Sequence, residues 1–126
     1  MPSPASKKIL HIEDNADSAL IMARLLTLWG YHYLSAENGA SGLRQIEIER
    51  PDLLLLDLNL PDIHGLEIVR QLRARSERLP IIAVTANALP SDRSKALEAG
   101  VDEFLAKPID FPSLRALLDK FLPPAG

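Results

Sequence analysis

No cysteine occurs in the chain, which removes disulfide bonds and thiolate metal sites and makes a reducing compartment, the cytoplasm, the expected location. Positive charge is not in excess: a net charge of −3 leaves no electrostatic footprint for nucleic acid, so none is expected as a partner. Long hydrophobic runs are missing too. Nothing approaches the roughly 20 apolar residues that span a bilayer, so no membrane segment is expected. The opening "MPSPASKK" has no apolar run behind its charges and does not read as a signal peptide. No long linker, low-complexity segment or internal repeat interrupts the chain. What is present has the size and make-up of one ordinary soluble domain: 126 residues, 47% hydrophobic and 25% charged.

Strand-like and helix-like segments alternate along it. "KILHIE" (8–13), "YHYLSA" (31–36), the run at 53–56, "PIIAVTA" (80–86) and "VDEFLAK" (101–107) read as strands. Between them, 15–30, 38–50, 64–77, 90–100 and 111–122 read as helices. Gly30 suits a left-handed stop, and Pro90 with Gly100 brackets a helix in the expected sense. In the first helix Ile21, Met22, Leu25, Leu26 and Trp29 are expected on the core face; in the second, Leu43, Ile46 and Ile48. Leu66, Val69, Leu72 and Arg73 follow helical spacing, and Leu114, Leu117, Leu118 and Phe121 form one stripe. Five such units in alternation argue for a parallel sheet covered on both faces.

The stretch "PDLLLLDLNLP" (51–61) is the most apolar in the chain, and it runs straight into Asp57. Continuous apolar runs bounded by breakers suit a strand buried on both faces, although a buried helix gives the same pattern. A carboxylate at the end of such a strand is costly unless something pairs with it. Ligands of open α/β sheets bind at the carboxyl ends of the strands. Asp57 is therefore either a turn residue or a functional anion.

The other strand ends bear on that choice. The first closes with Glu13 and Asp14, the fourth with Thr85, the fifth with Lys107. A parallel sheet brings these to one edge. Carboxylates gathered there repel unless a cation sits among them, and oxygen ligands without cysteine suit Mg²⁺. A metal ion, a lysine and a hydroxyl meet the needs of a transferring phosphoryl group, and an aspartate can accept it as an acyl phosphate.

The set "IEDN", "LLLLDLNLPDIHG", "AVTA" and "FLAKPI", in this order and spacing, resembles the receiver domain of two-component response regulators. The likeness covers residues 7 to 122 as one receiver domain, with flexible tails at 1–6 and 123–126. It implies an α/β, flavodoxin-like, doubly wound five-stranded parallel sheet in the order 2-1-3-4-5 with five helices. It also implies a phosphoacceptor signalling module, not a conventional enzyme. Such a module takes a phosphoryl group from a phosphohistidine on a histidine kinase or phosphotransfer protein, with Mg²⁺ as cofactor. By the same resemblance Asp57 is the phosphoacceptor. Asp14 and Asp57 ligate the metal by side chain, Asn59 by its backbone carbonyl, and Glu13 through a metal-bound water. Lys107 contacts the phosphoryl oxygens, and its bond to Pro108 is expected to be cis. Thr85 donates its hydroxyl to the phosphoryl group, and Ala86 keeps the acceptor accessible. Phe104 occupies the aromatic switch position, turning inward as Thr85 moves. Asn59 and Asn87 flank the path of an attacking water.

Taken singly, each residue has an ordinary reading. A lone Asp after a strand is usually a turn residue, Thr85 an ordinary β-branched strand residue, Lys107 surface decoration, Phe104 plain core. His11 and His32 read as structural, and His64 as a helix cap or a solvated histidine. On the first helix Ala19, Leu20 and Ala23 fall away from the core face, as a docking strip or as scattered surface apolars. Two rival functions differ in kind. An aspartyl-nucleophile, Mg²⁺-dependent phosphatase would want an acid where Asn59 stands. A pseudo-receiver, binding proteins without being phosphorylated, would have lost the acceptor, an acid or the lysine.

Overall fold

The structure, a computed structural model, describes residues 6–86 and 88–123. Asn87 and most of the two expected tails lie outside the described residues. The elements run β1 (Lys8–Ile12), α1 (Ala16–Leu28), β2 (His32–Ala36), α2 (Gly39–Glu49), β3 (Leu53–Asp57), α3 (Gly65–Ala74), β4 (Ile81–Thr85), α4 (Pro90–Ala99), β5 (Glu103–Ala106) and α5 (Phe111–Phe121). All strand pairs are parallel, in the order β2-β1-β3-β4-β5. The doubly wound α/β fold expected from the sequence is the fold observed.

Period-two alternation sorts the strand residues onto two faces. Leu10, Ile12, Leu54, Leu56, Ile81 and Ala83 pack with Ile46, Ile68, Val69, Leu72 and Ala96 from α2, α3 and α4. Ile9, Leu53, Leu55 and Ile82 pack with Met22, Leu26, Leu114 and Leu118 from α1 and α5. β3 is central, and its four leucines are wholly buried. Each contributes about 1.5–3 kcal/mol relative to an exposed position. The apolar run is thus a two-sided strand and not a helix.

Side chains cap most helix starts. Asn15 accepts from the Ser18 N–H at 2.9 Å, Asn38 from Ser41 at 2.8 Å and Asp110 from Ser113 at 3.0 Å. Gly30 and Gly100 take φ of 93° and 118° just past α1 and α4, where a left-handed residue ends a helix. Two expected core positions are corrected. Ile21 is 54% exposed and Ile48 69% exposed. At about 100° per residue, Ile21 falls a quarter-turn outside the stripe formed by Met22, Leu26 and Trp29, and Ile48 lies on the far side of α2 from Ile46. Among the described residues, no helix is long and apolar enough to cross a membrane.

Gly65 opens α3 against the end of β3. Its N–H donates to Leu58 O at 3.0 Å, and a Cβ there would lie 2.6 Å from Leu58 Cα. The obstacle is backbone, which cannot rotate away. Gly65→Ala is expected to cost about 1–3 kcal/mol of stability through overpacking. Chemical denaturation would show the loss; an unchanged midpoint would mean that the β3–α3 turn yields freely.

Candidate functional site

The strand ends converge as a parallel sheet requires. Glu13 continues the Ile9–His11 series of β1, and Asp57 the Leu53–Leu55 series of β3, so both carboxylates project toward the α1 and α5 face. Each is only 4% exposed. Lys107 Nζ, one residue beyond β5, donates to Glu13 Oε1 at 2.8 Å and to Asp57 Oδ2 at 3.4 Å. Backbone pairing sets the lysine there: its N–H donates to Thr85 O at 2.9 Å. The Lys107–Pro108 peptide bond is cis. Asp57 Oδ1 accepts the Asn59 N–H at 2.9 Å.

Asp14 stands exposed at the rim. One oxygen each from Glu13, Asp14 and Asp57 lie within 4.8 Å of one another. An all-oxygen donor set of this size fits a hard divalent cation such as Mg²⁺, with room left for water ligands. The edge opens into a cavity of about 450 Å³ whose lining includes His11, Met22, Ile109 and Phe111 besides Glu13, Asp57 and Lys107.

Thr85 and Phe104 lie on the other face. Thr85 is 3% exposed and its Oγ1 donates to Asn59 Oδ1 at 2.9 Å, a bond that no sequence pattern signals. Phe104 is 8% exposed and already packs inside with Ala83 and Ala96. Ala86 is exposed beside Thr85.

The carboxylates titrate as a pair. Burial, and then the neighbouring Asp57, push Glu13 up to about 7. Burial works against ionisation of Asp57 as well, but bonds with Glu13, the Asn59 N–H and the charge of Lys107 hold it below the usual range. Lys107 is raised: burial opposes its charge, and the bond to Glu13 and the two carboxylates outweigh that. Glu13 therefore takes up a proton as pH falls through about 7, while Asp57 stays ionised.

The histidines play separate parts. His11 is buried, bonded through Nδ1 to Tyr33 Oη at 3.0 Å, and lowered to about 4 by burial and then by Lys107. It is a neutral core residue beside the cavity. His32 is exposed. His64 caps α3, its Nδ1 accepting the Leu66 N–H at 3.2 Å.

Asp62 was not distinguishable in the sequence from a turn-forming aspartate. In the structure its carboxylate accepts the N–H groups of Gly39 at 2.8 Å, Ala40 at 3.0 Å and Ile63 at 2.9 Å.

Fold and site together define a doubly wound α/β protein with an acidic, lysine-closed pocket on the carboxyl edge of its sheet. Residues 9–119 match the family model described as the response regulator receiver domain. The chain is 38% identical over 122 residues to response regulator MprA of Mycobacterium bovis, covering 94% of this chain and 53% of that protein. It is 34% identical over 117 residues to the sensor protein EvgS of Escherichia coli K12, covering 93% of this chain and 10% of that protein. A solved structure, the receiver domain of sensor histidine kinase PA1611 from Pseudomonas aeruginosa with a magnesium ion coordinated in its active site cleft, is 36% identical. It superposes with a TM-score of 0.84 over 93% of this chain and 98% of that one. The chain belongs to the response regulator receiver domain family. It thus spans about half the length of one curated relative and a tenth of the other. Receiver domains are phosphoacceptor modules of two-component signalling; they bind Mg²⁺ in an acidic pocket and work with histidine kinases or phosphotransfer proteins.

The raised Glu13 sets a pH dependence. A carboxyl that binds its proton more tightly when folded contributes stability that is fully present below its unfolded value and is lost as pH rises through about 7. Without divalent cation, the melting temperature is expected to fall across that window, and Mg²⁺ is expected to raise it most at the upper end. Thermal melts with Mg²⁺ and with chelator check this; a Mg²⁺ increment that does not grow with pH contradicts it.

Proposed function

We propose that Asp57 is the residue phosphorylated in this chain. The observation that carries the reading is the lysine bridge: Lys107 reaches both Glu13 and Asp57 inside a cluster of three carboxylates at the mouth of the cavity. Asp14 and Asp57 would hold Mg²⁺ by side chain, Asn59 by its carbonyl, and Glu13 through water. When bound, the ion supplies positive charge to the oxygens of the phosphoryl group.

The remaining work falls to the chain. An Asp57 oxygen attacks the phosphorus, the bond from phosphorus to the donor imidazole nitrogen breaks, and that nitrogen leaves with the electron pair. Asp57 starts as an ionised nucleophile because Lys107 and the Asn59 N–H favour its charged form. Lys107 then faces the added phosphoryl oxygens. Thr85 exchanges its bond to Asn59 for one to the phosphoryl group, and Phe104, already seated on the same face, repacks in response. Ala86 leaves the approach open, and Asn59 flanks the path of the water that later hydrolyses the acyl phosphate. The residue set supports the signalling reading over a pseudo-receiver because acceptor, acids and lysine are all retained and meet in space. The donor is a phosphohistidine on a histidine kinase or phosphotransfer protein, met in the cytoplasm.

Incubation with acetyl phosphate tests the chemistry without a protein donor. Intact mass is expected to rise by one phosphoryl group, dependent on Mg²⁺ and abolished in Asp57→Asn. No gain under rapid quench, with the protein folded, would overturn the assignment. The donor is proposed to dock on α1, where Leu20 and Ile21 are 53% and 54% exposed beside the cavity mouth. Leu20→Glu is expected to slow phosphotransfer from the protein donor by roughly tenfold, the loss of one central apolar contact, with acetyl phosphate labelling retained. Equal donor rates in both proteins would place docking elsewhere.

A further inference from the structure

The β3–α3 loop carries Asn59; it is exposed over Asn59, Pro61, Asp62 and His64, while Leu58, Leu60 and Ile63 face the core. Its exposed side is fixed by a contact with another element. Gly39 and Ala40 begin α2, and their N–H groups have no partner within that helix. Asp62 takes both, with Oδ1 2.8 Å from Gly39 N and Oδ2 3.0 Å from Ala40 N. Oδ1 also accepts its neighbour Ile63 N–H at 2.9 Å, which fixes the carboxylate against its own loop. These bonds lower the Asp62 carboxyl below its ordinary range, the Gly39 N–H first among them. Asn38 separately satisfies Ser41 N, so α2 has a cap of its own and Asp62 is additional to it.

The seam is close as well as hydrogen-bonded. A Cβ on Gly39 would lie 3.0 Å from Ile63 Cβ and from Ile68 Cδ1, and 3.2 Å from Asp62 Oδ1. Only a glycine lets the loop lie against the first turn of α2 at this distance. Two bonds are internal to this stretch, Asn59 N to Asp57 and Gly65 N to Leu58 O; three reach other elements, Leu58 N to Val84 O, Thr85 Oγ1 to Asn59 Oδ1, and Asp62 to α2. The bonds to β4 hold the start of the loop, and the Asp62 bridge holds the part beyond Asn59 against α2.

We propose that Asp62 is a positioning residue for metal binding: by bridging the loop to α2 it holds the Asn59 carbonyl where the ion requires it. This rests on the reading of Asn59 as a Mg²⁺ ligand. Outer groups that orient metal ligands are worth roughly tenfold or more in affinity. Removing the bridge therefore weakens Mg²⁺ binding while leaving Asp57, Asp14 and Lys107 intact. The expected signature is a split: the Mg²⁺ concentration for half-maximal acetyl phosphate labelling rises, and the rate at saturating Mg²⁺ is kept.

Calorimetric Mg²⁺ titration of the full chain, beside labelling kinetics, tests this with three variants. Asp62→Ala is expected to weaken Mg²⁺ by roughly tenfold. Asp62→Asn keeps an acceptor oxygen and is expected to recover part of that loss. Gly39→Ala approaches the seam from the other side: it leaves the carboxylate in place and improves the helical propensity of α2, yet pushes on Ile63. It too is expected to weaken Mg²⁺. Wild-type affinity in both Asp62→Ala and Gly39→Ala, whatever their stability, would reduce Asp62 to a helix cap and overturn the proposal. If wild-type protein itself binds no Mg²⁺, the metal reading fails and this inference with it; if wild type binds and the variants do not differ, this inference alone fails.

Discussion

One contact sets the terms for everything at the carboxyl edge: the ammonium of Lys107 between the carboxylates of Glu13 and Asp57. Two nearly buried acids side by side are unstable as anions, because burial and mutual repulsion both favour protonation. Lys107 reduces that cost without removing it, since Glu13 still retains its proton up to about 7. Electrostatically the cation-free site is one positive charge short of comfort. That deficit gives a divalent ion something to correct. It also explains why the most apolar strand of the chain ends in a charge. The leucines of β3 lock the backbone, and the locked backbone holds a carboxylate where it would not settle by itself.

Alternation of strand side chains divides the labour between the two faces of the sheet. Glu13, Asp57 and Lys107 follow the register that faces α1 and α5, where the cavity opens and Leu20 and Ile21 stand exposed. Thr85 and Phe104 follow the opposite register, toward α4. The proposed chemistry and its proposed readout would therefore occupy different faces of the sheet. Asn59 joins them: its N–H binds Asp57 and its side-chain oxygen binds Thr85. A loop with contacts to both faces has to be held firmly, and beyond Asn59 Asp62 ties it to the start of α2.

Much of this was legible in the sequence because it follows from period and order. Alternating apolar runs and helical stripes gave the five βα units, and a parallel sheet then gathers its strand ends without further assumption. Errors came where a stripe was read too wide, as at Ile21 and Ile48, since apolar identity alone does not say on which side of a quarter-turn a residue falls. The clustering of Glu13, Asp57 and Lys107 was readable because it depends on topology. The Thr85–Asn59 bond and the contacts of Asp62 were not, because each depends on side-chain direction or on a loop meeting a distant helix. Gly39 and Asp62 are separated by 23 positions, and no periodic pattern links them.

The same bonds that stabilise the resting site define how it can respond. Lys107 lies closer to Glu13 than to Asp57, at 2.8 against 3.4 Å, and Thr85 is committed to Asn59. A phosphoryl group on Asp57 adds negative charge and new acceptor oxygens within reach of both donors. Each donor would exchange an existing bond for one to a more highly charged acceptor, so neither motion leaves a buried group without a partner. The free energy available to move the α4 face is the difference between those bonds and no more, because a ligand shifts an equilibrium only by its differential interaction with the two states. A resting site in which the donors were unpaired would respond more strongly, but it would carry that cost in the unphosphorylated state. Pairing them with Glu13 and Asn59 leaves neither donor unsatisfied at rest, and under the proposed phosphorylation the resulting bias would be modest and reversible.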